Sequence, residues 1–89
     1  MNFGMNWELR IDGIVKKQLQ RIPKKQSTRL FRIIQELVVN PYAGDIEKMQ
    51  GYEDLWRRRV GSYRIKYEIK TSQRMIHVIF VERRASNTY

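Results

Sequence analysis

Apolar side chains recur at two different periods along this chain, and the change of period divides it into a helical first part and a stranded second part. Trp7, Leu9 and Ile11 alternate with Glu8 and Arg10, as in a half-buried strand. Met1 to Met5 shows no periodicity and is expected to be a loose extension. Asp12 can cap a helix in which Ile14, Val15, Leu19 and Ile22 form one stripe, with Lys16, Lys17, Gln20 and Arg21 outside it. Gly13 weakens the first turn and Pro23 closes the segment. A second helix starts at Lys24. Leu30, Phe31, Ile34, Leu37 and Val38 keep the spacing of one buried face, with Arg29, Arg32, Gln35 and Glu36 largely outside it. Asn40-Pro41 ends it, because the residue before proline is pushed out of the helical region. Joined by only a few residues, the two helices should lie antiparallel against one sheet face.

Tyr42 to Asp54 carries Gly44, Gly51 and four acids, and reads as a loop. Period two returns in Leu55 to Ile69, LWRRRVGSYRIKYEI. Trp56 and Val60 point to one side and Arg57 and Arg59 to the other; Gly61-Ser62 makes the turn. Tyr63, Ile65, Tyr67 and Ile69 then supply an apolar face, and Arg64, Lys66, Glu68 and Lys70 the opposite one. When the apolar faces coincide, Arg57, Arg59 and Arg64 share the other face. After a polar turn at Thr71-Ser72-Gln73, Met75 to Val81 is apolar at every position but His77, which suits a central strand covered on both faces. The pattern predicts one α+β domain over residues 1–89: a small antiparallel-rich sheet of about four strands, with an N-terminal helical hairpin packed on one face.

Charge changes this picture. The net charge is +9, and residues 1–54 hold nine basic and seven acidic side chains (+2) against nine and two (+7) in residues 55–89. A basic surface inside a strand-forming segment favours contact with polyanions over a merely solvated face. With no cysteine and one histidine, disulfides, thiolate metal sites, a cysteine nucleophile and Ser–His–Asp catalysis have almost no material. No apolar run approaches the roughly 20 residues that span a bilayer, and the N-terminus lacks a signal-peptide pattern, so a cytoplasmic protein without a membrane partner is expected.

The run of aliphatic, aromatic, Arg-x-Arg-Val-Gly-x-Tyr-Arg-Ile-x-Tyr-Glu-Ile, followed by a strand ending in Val81-Glu82-Arg83-Arg84 and by Tyr89, resembles the RelE/ParE toxin family of bacterial and archaeal toxin–antitoxin modules. It is closer to the RelE branch. The likeness covers nearly the whole chain and is most specific at Val60-Gly61-Ser62-Tyr63-Arg64. It implies a metal-independent, cofactor-free endoribonuclease that cuts mRNA on the ribosome and is inhibited by an acidic, RelB-like antitoxin. Its site would comprise Arg57, Arg59, Arg64, Arg83 and Tyr89, with Arg58, Lys66 and Arg84 as RNA contacts. The family often has lysine where this chain has Arg57 and Arg59. Arginine clamps phosphate through two donors but is a poor proton carrier, which favours charge stabilisation for both.

Blander readings stand beside these. Arg64 could pair with an acid such as Glu68 across the hairpin. Tyr89 sits where chains commonly fray. His77 fits a packed core histidine better than a general base. Trp56, Tyr63 and Tyr67 could stack on bases, but their period-two placement favours core packing. A ParE-like gyrase poison without nuclease activity is the alternative function, and a non-catalytic nucleic-acid-binding domain a third. Arg83 together with Tyr89 is the pairing expected of the RNA-cleaving branch.

Overall fold

The computed structural model describes residues 7–83. Strand β1 (Glu8–Ile11) leads into helices α1 (Gly13–Arg21) and α2 (Lys24–Glu36), and strands β2 (Ile46–Lys48), β3 (Leu55–Val60), β4 (Tyr63–Lys70) and β5 (Met75–Arg83) follow. The sheet order is β1-β5-β4-β3-β2, with β1 parallel to β5 and every other pair antiparallel. The α+β architecture and the helical layer on one face are as expected. The sheet has five strands rather than four, because Ile46–Lys48 pairs with β3 where the sequence reads as loop. Three residues are too few to show an alternation, and their pairing to Trp56, Arg57 and Arg58 is purely tertiary.

The local signals act as their chemistry requires. Asp12 accepts the backbone N–H of Ile14 at 3.0 Å and caps α1. α1 ends at Arg21, and Pro23 serves as the N-cap of α2 without contributing a side-chain bond. Asn40 accepts the N–H of Tyr42 at 3.1 Å, turning the chain after α2. Val60 faces Tyr63 across the hairpin, and Gly61 has φ +60° while Ser62 does not enter positive φ, which is the pattern of a type II′ turn.

The core forms where the helical stripe meets one sheet face: Val15, Leu30, Ile34 and Leu37 pack on Val60, Tyr63, Ile65, Tyr67, Ile69, Ile76, Val78 and Val81. Burial alternates strictly along β4, so its even-numbered residues Arg64 to Lys70 are left on the uncovered face. Tyr67, fully buried, donates its hydroxyl to the carbonyl of Pro41 at 2.8 Å. Burial pushes its pKa up to about 12. Trp56 is half-buried and meets Tyr42 edge-on at 5.9 Å, and Tyr42 meets Trp7 at 6.3 Å. Packing, not base stacking, accounts for Trp56, Tyr63 and Tyr67. No helix among the described residues is long and apolar enough to cross a membrane.

Strand β5 departs from the sequence reading. Lys66 pairs with Phe80 but Tyr67 with Val78, so Ile79 is an extra residue bulged out of the ladder. The bulge keeps Val78 and Val81 in the core and puts Phe80 beside Lys66, whose ammonium lies 5.8 Å from the ring centroid. His77 is likewise on the uncovered face and not in the core. Its Nδ1 is 3.2 Å from Glu68 and its Nε2 3.8 Å from Asp12.

Candidate nucleic-acid interface

The uncovered face is built by the ladder between β3 and β4. Arg57 stands directly opposite Lys66, and Arg59 directly opposite Arg64. Residues so paired hold their Cβ atoms about 4.5–5.5 Å apart, and like charges there are destabilising. Two such pairs in succession make a block of four cations, which the fold tolerates because carboxylates flank it on both sides. On the β2 side Glu47 forms an ion pair with Arg57, and Asp45 lies 3.5 Å from Arg59. On the β5 side Glu82, opposite Arg64 in register, reaches Arg64 at 3.6 Å and Lys66 at 3.5 Å. Hydrogen bonding and charge from Arg57, helped by Arg59 and Arg64, lower the pKa of Glu47. It therefore remains an anion at neutral pH.

Arg64 is thus paired, but with Glu82 on the neighbouring strand and not with Glu68. The acids Asp45, Glu47 and Glu82 are the members of this face that sequence reasoning missed. Register alone exposes Glu82, but Asp45 and Glu47 lie in the segment read as a loop. They also change the meaning of the charge count. Arg10, Arg57, Arg59, Arg64, Lys66 and Lys70 face Glu8, Asp45, Glu47, Glu68 and Glu82, each cation within ion-pair distance of a carboxylate. Six cations thus meet five carboxylates on this face, and part of the excess counted in residues 55–89 is offset here.

Two residues of the expected site and its RNA contacts stand apart from this face. Arg58 shares the helix side with Trp56 and Val60, opposite Ile65, and its guanidinium lies against Gly44; its Nε is buried without a partner. Period two alone would have placed it there, since it is even-numbered between Trp56 and Val60. Arg83 is opposite Tyr63, a core-side residue, and borders a cleft with Gln18 and Arg21 of α1. Arg84 and Tyr89 lie outside the described residues. The structure therefore brings together Arg57, Arg59, Arg64 and Lys66, and separates Arg58 and Arg83 from them.

Such a block can grip a phosphodiester. Planar guanidiniums on adjacent strands offer several N–H donors in fixed positions, and an RNA phosphate would replace the flanking carboxylates one anion for another. Among the described residues no group of three or more His, Asp or Glu side chains could hold a metal ion.

This architecture is that of solved toxins. The RelE chain of an archaeal RelE–RelB complex from Pyrococcus horikoshii superposes with a TM-score of 0.80 at 28% identity, covering 92% of this chain and 99% of that one. The isolated Escherichia coli RelE toxin, at 18% identity, shares the fold with a TM-score of 0.77 over 92% of this chain and 88% of its own. A protein of Methanocaldococcus jannaschii named as a RelE1 toxin is 26% identical over 83 residues, 90% of this chain and 92% of that protein. Fold and uncovered face together define a RelE-like toxin. Residues 9–88 match the family described as the ParE toxin of type II toxin–antitoxin systems, and the chain belongs to that family, within the RelE/ParE superfamily.

Proposed function

We infer that this toxin is a ribosome-dependent mRNA endonuclease kept inactive by an acidic, RelB-like antitoxin. The observation that carries this reading is the two stacked like-charge pairs, Arg57 with Lys66 and Arg59 with Arg64, on the sheet face opposite the one that α1 and α2 cover. Such an arrangement costs stability and gains its use when an anion enters.

Cleavage without a metal requires removal of the 2′-hydroxyl proton, stabilisation of the charge gathering on phosphorus, and a proton for the departing 5′-oxygen. Arg57, Arg59 and Arg64 supply the second of these, with Lys66 holding the backbone. The resemblance to RelE toxins assigns the proton-handling role to Tyr89, whose phenol would need its pKa lowered by nearby cations to act as a base. Arg83 joins in this reading from the strand end. Two relatives of known structure are RelE–RelB complexes, from Pyrococcus horikoshii and Methanococcus jannaschii, which supports an antitoxin partner here. Its acidic segments would replace Glu47, Asp45 and Glu82 as counter-charges.

The family's ParE description supports a second reading, a gyrase poison that cuts no nucleic acid. Mapping transcript ends in a translating extract, with and without ribosomes, separates the two. New mRNA ends that appear only with ribosomes support the first reading. Intact transcripts with blocked gyrase supercoiling support the second.

A further inference from the structure

Phe80 is a large apolar ring on the uncovered side of the sheet. Period two from Val78, which is buried in the core, would carry Phe80 to the core side as well; the bulge at Ile79 turns it onto the uncovered face instead, opposite Lys66. It is half-buried there, yet among the described residues the core and the partly buried side chains packed on it do not include this ring. The other aromatic residues of β3, β4 and β5 are Trp56, Tyr63 and Tyr67, all on the helix side. Core packing explains those three and does not explain Phe80.

The register sets the ring beside the cation block. Phe80 continues the row of Arg57 and Lys66 onto β5, and Glu82 continues the row of Arg59 and Arg64. With adjacent strands about 4.8 Å apart and a two-residue step of about 7 Å, Phe80 is diagonally next to Arg64, a separation that one nucleotide spans from phosphate to base. On its other flank β1 ends opposite Val78, so no strand pairs there beside the ring. The backbone that carries it is fixed, because Gln18 of α1 accepts the N–H of Val81 through Oε1 at 2.8 Å. The Lys66 ammonium, 5.8 Å from the ring centroid, is also 3.5 Å from Glu82. A cation thus occupies the aromatic face at rest.

We propose that Phe80 is the stacking platform for one unpaired base of a single-stranded RNA whose adjacent phosphate is held by Arg59 and Arg64. The proposal rests on the RNA-binding use of this face inferred above, and adds a base contact to a site otherwise made of charge. The exchange is balanced. A base replaces the ammonium on the ring, and the released ammonium exchanges Glu82 for phosphate, one anion for another. Paired RNA does not fit, since its bases are stacked on one another and leave no face for the ring. Every base has such a face, so the platform fixes where the strand lies and reads no sequence by hydrogen bonding.

Phe80→Leu keeps an apolar side chain outside the core and should melt as the parent does. The test measures binding of the parent, Phe80→Leu, Phe80→Tyr and Arg64→Ala to oligouridylate and to an abasic strand of the same length across a salt series. Phe80→Leu should weaken oligouridylate binding roughly 5- to 20-fold with an unchanged salt slope, and Phe80→Tyr, which keeps the ring, should stay within about twofold of the parent. Arg64→Ala should weaken both strands and flatten the log–log slope by about 0.7. The abasic strand should bind the parent and Phe80→Leu equally. The parent should also bind it more weakly than oligouridylate by at least the factor lost in Phe80→Leu, a comparison that needs no variant to fold. Unchanged oligouridylate binding in Phe80→Leu, or an equal loss on the abasic strand, would overturn the platform, the first leaving the ring to a protein partner. If Arg64→Ala keeps the parental affinity and slope while Phe80→Leu loses oligouridylate alone, the charge-based reading of the face fails and the platform stands. Binding is measured without ribosomes or cleavage, so the outcome does not depend on nuclease activity.

Discussion

Arg58 lies against Gly44 so closely that a Cβ on the glycine would stand 2.4 Å from the guanidinium carbon. Gly44 also has φ +87°, a conformation that side-chain-bearing residues rarely adopt. The loop it occupies is held at its other end by the bond from Tyr67 to Pro41. Arg58 thus works as packing for the segment that delivers Asp45 and Glu47 to the uncovered face. Gly44→Ala should cost about 1–3 kcal/mol in urea unfolding, from backbone strain and displacement of the guanidinium. A variant as stable as the parent would show that the loop does not depend on this contact.

Tyr67 sets an alkaline limit. Burial holds its pKa up at about 12 against an ordinary 10, so the folded state binds its proton more tightly than the unfolded chain does. The stability this gives is complete below about pH 10 and is lost as pH rises towards 12, an amount on the order of 2–3 kcal/mol. Tyr67→Phe should remove most of that slope. At neutral pH it should cost about 1 kcal/mol, because the Pro41 carbonyl loses its donor. Unfolding curves at pH 8 and at about pH 11 for both proteins check the sign; an unchanged alkaline slope in the variant would assign the effect to other tyrosines.

Glu82 is the carboxylate that engages both Arg64 and Lys66. Glu82→Gln keeps the shape and frees both cations, so single-stranded RNA should bind about three- to tenfold more tightly at low salt, each partly exposed pair being worth roughly 0.3–1 kcal/mol. The gain should vanish at high salt. Anisotropy titrations with oligouridylate give the measurement, and weaker binding would mean that Glu82 positions the two cations and does not compete for them.

Trp56 is half-buried, with Tyr42 against its ring. Trp56→Ala should therefore cost about 2–4 kcal/mol in chemical unfolding, near the lower part of the range for deleted aromatics. A loss below about 1 kcal/mol would remove the ring from the structural account.

The parts of the fold that were legible in the sequence are those written in local chemistry. The Asp12 cap, the helical stripes, the Gly61-Ser62 turn and the strict alternation of β4 all follow from spacing. β2 and the bulge at Ile79 were not legible, because each exists only through pairing with another strand. The same holds at the site. Alternation places Arg57, Arg59, Arg64 and Lys66 on one face and also puts Arg58 on the other. Their neutralisation by Asp45, Glu47 and Glu82 depends on register between strands, which no single segment records. Counting charge by halves of the chain hid the run 13–35, which holds seven cations and no acid, since most acids of the first half lie outside the helices.

The central claim is that Arg64 stabilises charge at a cleaved phosphate, and the rate of mRNA cleavage in a ribosome-containing translation extract tests it most directly. Arg64→Ala should fold with stability within about 0.5 kcal/mol of the parent, as Glu82 keeps Lys66 as a partner, and should cut at a rate lower by roughly 10²-fold. Tyr89→Phe, measured alongside, should cut slowly with unchanged RNA binding if the phenol moves a proton. Cleavage by Arg64→Ala at the parental rate would contradict the account.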